Sequence, residues 1–68
     1  MRKYVITFKK GYKRYTIICM RKKWIFWINQ KHLVVTGNNQ DAAYLEAWRE
    51  CLDLAKYYNV DEKEIIIN

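Results

Sequence analysis

The chain has no proline, only two glycines and only two cysteines among its 68 residues. Cys19 and Cys51 are too few for a disulfide framework, and we expect each to pack as a small buried hydrophobic side chain in a reducing compartment. The longest apolar run, residues 24–28, is far shorter than the roughly 20 residues of a membrane-spanning helix. No small-residue cleavage site follows the short apolar run near the start, so we expect no signal peptide. These absences favour a soluble, cytoplasmic protein without a membrane partner.

Acidic residues are missing from the first forty positions. That part holds ten lysines and arginines and carries +10, whereas residues 41–68 hold all seven acids against three cations and carry −4. The formal net charge of +6 therefore hides a division between a basic and an acidic half. Because cations recruit phosphates, a polyanionic partner is the favoured explanation.

The composition indicates a small folded domain. Apolar residues make up 51% and aromatic residues 16% of the chain, which excludes intrinsic disorder and predicts a single domain over residues 1–68. So short a chain buries only about 60% of its unfolded surface, so its stability is marginal without a partner. Residue types with A/T-rich codons are abundant. We therefore expect an AT-rich origin, such as a phage or mobile element, and the cytoplasm of a bacterial or archaeal host cell.

The basic half, residues 1–36, alternates between apolar and polar positions as β-strands do. Strands are predicted over about residues 4–8, 13–21 and 23–28, and residues 33–36 form a short fourth strand or continue the third. Turns are predicted at residues 9–12, 21–23 and 29–32. The face expected to meet a helix carries Tyr4, Ile6, Phe8, Tyr15, Ile17, Cys19, Trp24, Phe26 and Ile28.

The acidic half changes to a helical period over residues 38–59. Asn38 or Asn39 is the predicted N-cap, Asn59 is the predicted left-handed stop, and residues 60–68 form a tail or an edge strand. The apolar stripe of this helix is predicted to contain Leu45, Trp48, Leu52 and Ala55. The predicted fold is α+β: an antiparallel meander of three or four β-strands, then one amphipathic α-helix packed on one sheet face. A short C-terminal strand is an option.

The sheet face opposite the helix also presents apolar side chains. A contiguous apolar patch of this kind usually marks an interface, and its burial would add to a marginal stability. The sequence therefore predicts a homodimer. The predicted interface residues are Ile18, Met20, Ile25 and Trp27.

Catalytic and metal-binding patterns are weak in this sequence. His32 is the only histidine, and the nearest acid in sequence is Asp41. The two cysteines and His32 lack the paired spacing of zinc sites, and no phosphate-binding glycine motif occurs. We therefore expect no enzymatic activity, no metal and no cofactor.

The combination of cations and aromatic residues is the main functional signal. Lysine and arginine contact phosphates, and exposed rings stack on bases. The sequence predicts a small basic non-catalytic module of phage or mobile-element type that binds DNA or RNA through its basic half. The alternative is a small phage-encoded inhibitor, such as an anti-CRISPR protein, that binds a nucleic-acid-handling host protein. The predicted nucleic-acid-binding residues are Lys9, Lys10, Lys13, Arg14, Arg21, Lys22, Lys23 and Lys31.

Overall fold

The computed structural model describes residues 3–68; Met1 and Arg2, the latter one of the ten cations of the basic half, lie outside this range. Three strands, one helix, a turn of 3₁₀ helix and a short fourth strand follow one another along the chain. Their bounds are β1 Tyr4–Lys10, β2 Arg14–Lys23, β3 Phe26–Thr36, α1 Gln40–Tyr57, the 3₁₀ turn Glu62–Glu64 and β4 Ile66–Ile67. The strand order is β3-β2-β1-β4, with β4 parallel to β1 and the other pairs antiparallel. Since α1 packs on one face of this sheet, the predicted α+β architecture is confirmed.

The core forms between the helix and the inward face of β1 and β2. Alternation in these two strands predicted that face correctly, because Ile6 lies opposite Cys19 and Phe8 lies opposite Ile17, and all four side chains are fully buried. The ring of Phe8 stacks on Tyr15 and meets Trp48 edge to face, with centroids 5.4 and 5.2 Å apart. The helix contributes four small residues spaced four apart, namely Ala43, Ala47, Cys51 and Ala55.

The helix begins and ends as its sequence predicts. The Asn39 side chain accepts a hydrogen bond of 2.8 Å from the Ala42 amide, which satisfies one of the unpaired donors of the first turn. Asn59 has the left-handed φ of +58° that ends the helix. The predicted apolar stripe is wrong at Leu45, which is 67% exposed. The buried face of the helix is formed by its alanines and Cys51, whose small side chains let α1 lie close to the sheet.

The third strand is longer than predicted. Residues 29–32, the predicted turn, lie within β3, so residues 33–36 continue the same strand. A bulge accommodates this polar stretch: Cys19 pairs with Lys31 and Met20 with Asn29, which leaves Gln30 as the extra residue. His32 therefore lies in the strand, opposite Ile18.

The hairpin between β2 and β3 also differs from the prediction. The predicted turn at residues 21–23 is the end of β2, and the turn itself is Trp24 and Ile25, between the paired Lys23 and Phe26.

The ring of Tyr58, just after α1, lies 4.7 Å from Tyr4 at the start of β1, so the helix ends level with β1.

We call residues 21–28 the arm. At its base Arg21 still pairs with Tyr4 of β1 and the Lys22 amide donates to the Lys3 carbonyl oxygen, and beyond this point the hairpin projects past α1 and the described part of β1 as a two-stranded ribbon. Its side chains are all exposed, so the prediction that Trp24, Phe26 and Ile28 lie in the core is wrong. No part of α1 is left to cover them. The arm gives the molecule its elongated shape of 40 × 19 × 17 Å.

Candidate nucleic-acid interface

The arm carries cations and apolar side chains on both of its faces. Lys22 and Trp27 pair across the two strands, and the Lys22 ammonium lies 5.9 Å from the centroid of the Trp27 ring. This distance is within the range of a cation–π contact, which holds the ammonium over a half-exposed ring. Strand alternation places the pairs Arg21–Ile28 and Lys23–Phe26 on the other face. A ribbon with charge on both sides suits a partner that surrounds it.

The sheet face opposite α1, which we call the outer face, carries no acid among residues 3–68. The strand register places Lys9, Arg14 and Lys22 on it, with polar side chains of Thr7, Thr16, Asn29 and His32 between them. Arg14 and Lys22 are eight residues apart on β2, a separation of about 26 Å along the strand. The outer-face cations are therefore concentrated at the two ends of the sheet and do not form a continuous stripe.

The second cluster of predicted binding residues surrounds the β1–β2 turn, at the opposite end from the arm. It consists of Lys9, Lys10, Lys13 and Arg14.

This turn is held rigidly against the start of the helix. Gln40 accepts a hydrogen bond of 2.6 Å from the Lys13 amide, and its own amide donates to the Tyr15 hydroxyl at 2.6 Å. A Cβ on Gly11 would lie only 2.7 Å from the Arg14 carbonyl oxygen, so the turn requires glycine there. The Lys13 ammonium lies 5.3 Å from the centroid of the exposed Tyr12 ring. This end of the sheet therefore presents its cations on a fixed backbone.

Lys31, the last predicted binding residue, lies between the two ends. It is exposed on β3 opposite Cys19, two residues beyond Asn29 and hence close to the base of the arm. It completes an arm group of four cations with Arg21, Lys22 and Lys23.

Most of the acids lie on the helix, and the others lie next to the edge strand β4. Four lie on α1 and three in or next to the 3₁₀ turn; they are Asp41, Glu46, Glu50, Asp53, Asp61, Glu62 and Glu64. Because α1 packs behind the sheet, its four acids are separated from the outer face, whereas the other three precede β4 at the edge of the sheet. The charged side chains of the arm and the outer face are therefore all basic, and α1 carries four of the seven acids.

The residues with potential for catalysis do not come together. His32 is exposed on the outer face, whereas Cys19 and Cys51 are buried free thiols. Burial raises the pKa of Cys19 and raises that of Cys51 to about 11, so both thiols stay protonated and unreactive at neutral pH. Within residues 3–68, no group of three His, Cys, Asp or Glu side chains is arranged to hold a metal ion.

The four predicted interface residues are divided by the structure. Ile18 and Met20 are half-buried in the middle of the outer face, with Trp27 further out on the same face. Ile25 lies in the turn at the end of the arm and belongs to neither face. Self-association through these residues stays a prediction.

Sequence reasoning missed the exposed end of the arm. We call Trp24, Ile25 and Phe26 the tip; they are 83%, 72% and 61% exposed. Glycine or asparagine usually marks a two-residue hairpin turn, and neither occurs here. The remaining signal was the change from Arg21-Lys22-Lys23 to an uninterrupted apolar run.

No protein-family model, curated protein or solved structure shows a significant match to this chain. In the part of the chain that the structure describes, no helix is both long and apolar enough to cross a membrane. The candidate interface is therefore supported by the geometry and charge of the described residues alone.

Proposed function

We propose that this protein is a non-catalytic module that binds nucleic acid through its basic sheet half, with the arm as the principal contact. The observation that supports this most is the arm itself, a projecting ribbon with Arg21 and Lys23 on one face and Lys22 on the other. Every one of its side chains is exposed, and it contains no acid.

Cations and rings have complementary roles in such an interface. Lysine and arginine neutralise phosphates and release condensed counterions, which supplies affinity without regard to sequence. Exposed aromatic rings add stacking on unpaired bases, worth about 1–3 kcal/mol per base. Phe26 and Trp27 lie directly across from Lys23 and Lys22, so side chains for phosphate contacts and for base contacts are neighbours on the arm.

The polar groups of the outer face extend this surface away from the arm. Threonine, asparagine and histidine side chains donate hydrogen bonds to phosphate and sugar oxygens, and such contacts fix the orientation of a protein on nucleic acid. Thr7, Asn29 and His32 lie on the outer face beside Ile18 and Met20. A nucleic acid that ran along β2 would also reach the cations of the β1–β2 turn.

Binding should weaken steeply as salt is added. The slope of log affinity against log salt is about −0.9 per phosphate contact on duplex DNA, so the four cations of the arm group (Arg21, Lys22, Lys23 and Lys31) predict about −3.6 and all eight predicted residues about −7. Fluorescence anisotropy with a labelled duplex between about 50 and 200 mM salt measures this slope.

An acidic polypeptide of equal charge is the control for this titration, since it offers carboxylates but neither phosphates nor bases. It should bind much more weakly than the duplex. Absence of nucleic-acid binding at about 50 mM salt, or equal binding of the acidic polypeptide, would contradict the proposed function.

A further inference from the structure

The tip is an apolar cluster that no part of the chain within residues 3–68 covers. Trp24 and Ile25 form the turn, and Phe26 follows directly. Contiguous apolar surface on a small monomer usually marks a binding site. At the end of a narrow ribbon, however, it offers too little area for a stable protein interface of ordinary size. The tip fits better into a narrow cleft than against a flat surface.

The backbone at the tip is strained in a way that glycine would relieve. Trp24 has a φ of +61°, a region that bulky residues rarely adopt. It is the first of the two turn residues. When that residue has a positive φ and the second does not, glycine is the usual residue at the first position. The ring gains little from this conformation, because it is 83% exposed. Because the backbone is strained and the Trp24 ring makes little packing contact that could offset the strain, we infer that the side chain has a function.

The dimensions of the arm match a groove of duplex DNA. The arm extends about two residues past the hydrogen bond between the Lys22 amide and the Lys3 carbonyl oxygen, or roughly 7 Å, and the exposed side chains of the turn add to this reach. The major and minor grooves are about 8.5 and 7.5 Å deep, and the major groove admits a two-stranded ribbon. The tip of an inserted arm would therefore reach the base pairs.

The charges of the arm are arranged for the walls of such a groove. With Lys22 on one face and Arg21 and Lys23 on the other, both phosphate backbones would meet cations at the same depth. Proteins that bend DNA insert apolar side chains between base steps in this way, at the cost of unstacking. A single phosphate plane, as on an anionic membrane, would not require cations on opposite faces.

We propose that the arm enters a groove of duplex DNA and inserts the Trp24 and Ile25 side chains between adjacent base pairs, unstacking one step and kinking the helix. This inference rests on the proposed function and specifies its partner as duplex DNA. Insertion should favour DNA in which one step is already weakly stacked, because less unstacking is then required.

The test compares a fully paired duplex of about 20 base pairs with the same duplex carrying one central mismatch. The parent protein should bind the mismatched duplex about tenfold more tightly. Trp24→Gly should bind the two duplexes with affinities within about twofold of each other, keep the salt slope of the parent, and melt at the same or a higher temperature because glycine suits the positive φ.

Tyr12→Ala is the matched control, because Tyr12 is as exposed as Trp24 but lies at the β1–β2 turn, away from the arm. It should retain the preference for the mismatch. A parent protein that binds both duplexes with the same salt slope but shows no preference overturns the insertion and leaves the proposed function standing. The same preference in Trp24→Gly as in the parent also overturns it.

Two further outcomes would assign the tip to another partner. Tighter binding to a single strand than to either duplex would indicate base stacking without insertion. Preferential binding to vesicles of phosphatidylcholine and phosphatidylglycerol would indicate insertion into lipid. No binding to any nucleic acid at about 50 mM salt would remove the proposed function together with the insertion.

Discussion

Phe8→Ala should lower the free energy of unfolding by about 3–5 kcal/mol, the cost of truncating a fully buried phenylalanine. Phe8 is fully buried and meets the rings of Tyr15, Tyr44 and Trp48. At about 0.05–0.15 kcal/mol per residue, a domain of this length has roughly 3–10 kcal/mol in total. The substitution therefore removes a large part of its stability, and urea titration followed by circular dichroism measures the loss.

The control for this prediction is Tyr12→Ala, which removes a ring of similar size from an exposed position. It should change the free energy of unfolding by no more than about 0.5 kcal/mol. If Phe8→Ala were as stable as Tyr12→Ala, the aromatic cluster would not be the centre of the core.

Replacing Arg21, Lys22 and Lys23 together with alanine should weaken binding to a duplex by about a hundredfold or more at 0.1 M salt. Each lost phosphate contact removes about 0.9 from the salt slope, so the triple substitution should reduce it by up to about 2.7 units. All three side chains are exposed, so folding should be little affected. Anisotropy titrations at several salt concentrations give both quantities.

The matched control is the triple alanine variant at Arg49, Lys56 and Lys63, the three cations of the acidic half. It lowers the formal net charge from +6 to +3, as the arm variant does. Its affinity should fall by only about threefold or less, because screening limits the influence of charges more than about 10 Å from the ligand. Equal losses in the two variants would show that net charge, and not the arm, determines binding.

The parts of the fold that the sequence predicted are those in which one local rule was sufficient. Alternation assigned Ile6, Phe8 and Ile17 to the core because β1 and β2 have a covered face and a polar face. The helix was predicted to start after an N-cap at Asn38 or Asn39 and to stop at Asn59, because asparagine favours N-caps and left-handed conformations; the N-cap is Asn39.

The arm could not be predicted from alternation because a period of two does not show where the covering helix ends. Phe26 and Ile28 do lie on the helix side of the sheet, as alternation predicts, but α1 stops before it reaches them. The bulge at Gln30 also shifts the phase of β3, and nothing in the local sequence marks it. Trp24 and Phe26 of the exposed tip were therefore assigned to the core, and Ile25 was assigned to the opposite face.

The residues of the candidate site were predicted from the sequence, but the ribbon that carries the arm cations was not. The cations of both clusters were recognised from their charge, and their separation at two ends of the sheet follows from the meander. Their presentation on a ribbon depends on the turn at Trp24 and Ile25, which replaces the expected turn at residues 21–23. A turn without glycine or asparagine carries no sequence signal that pattern rules detect.

The most direct test of the account is a titration of isotope-labelled protein with a duplex, followed through the backbone amide resonances. We predict that the largest shifts fall on residues 18–32, which include the arm and the adjacent outer face. The amides on the exposed side of α1, such as those of Leu45 and Arg49, should move little. Shifts concentrated on α1, or none at a protein concentration well above the measured dissociation constant, would contradict the assignment of the arm as the nucleic-acid-binding element.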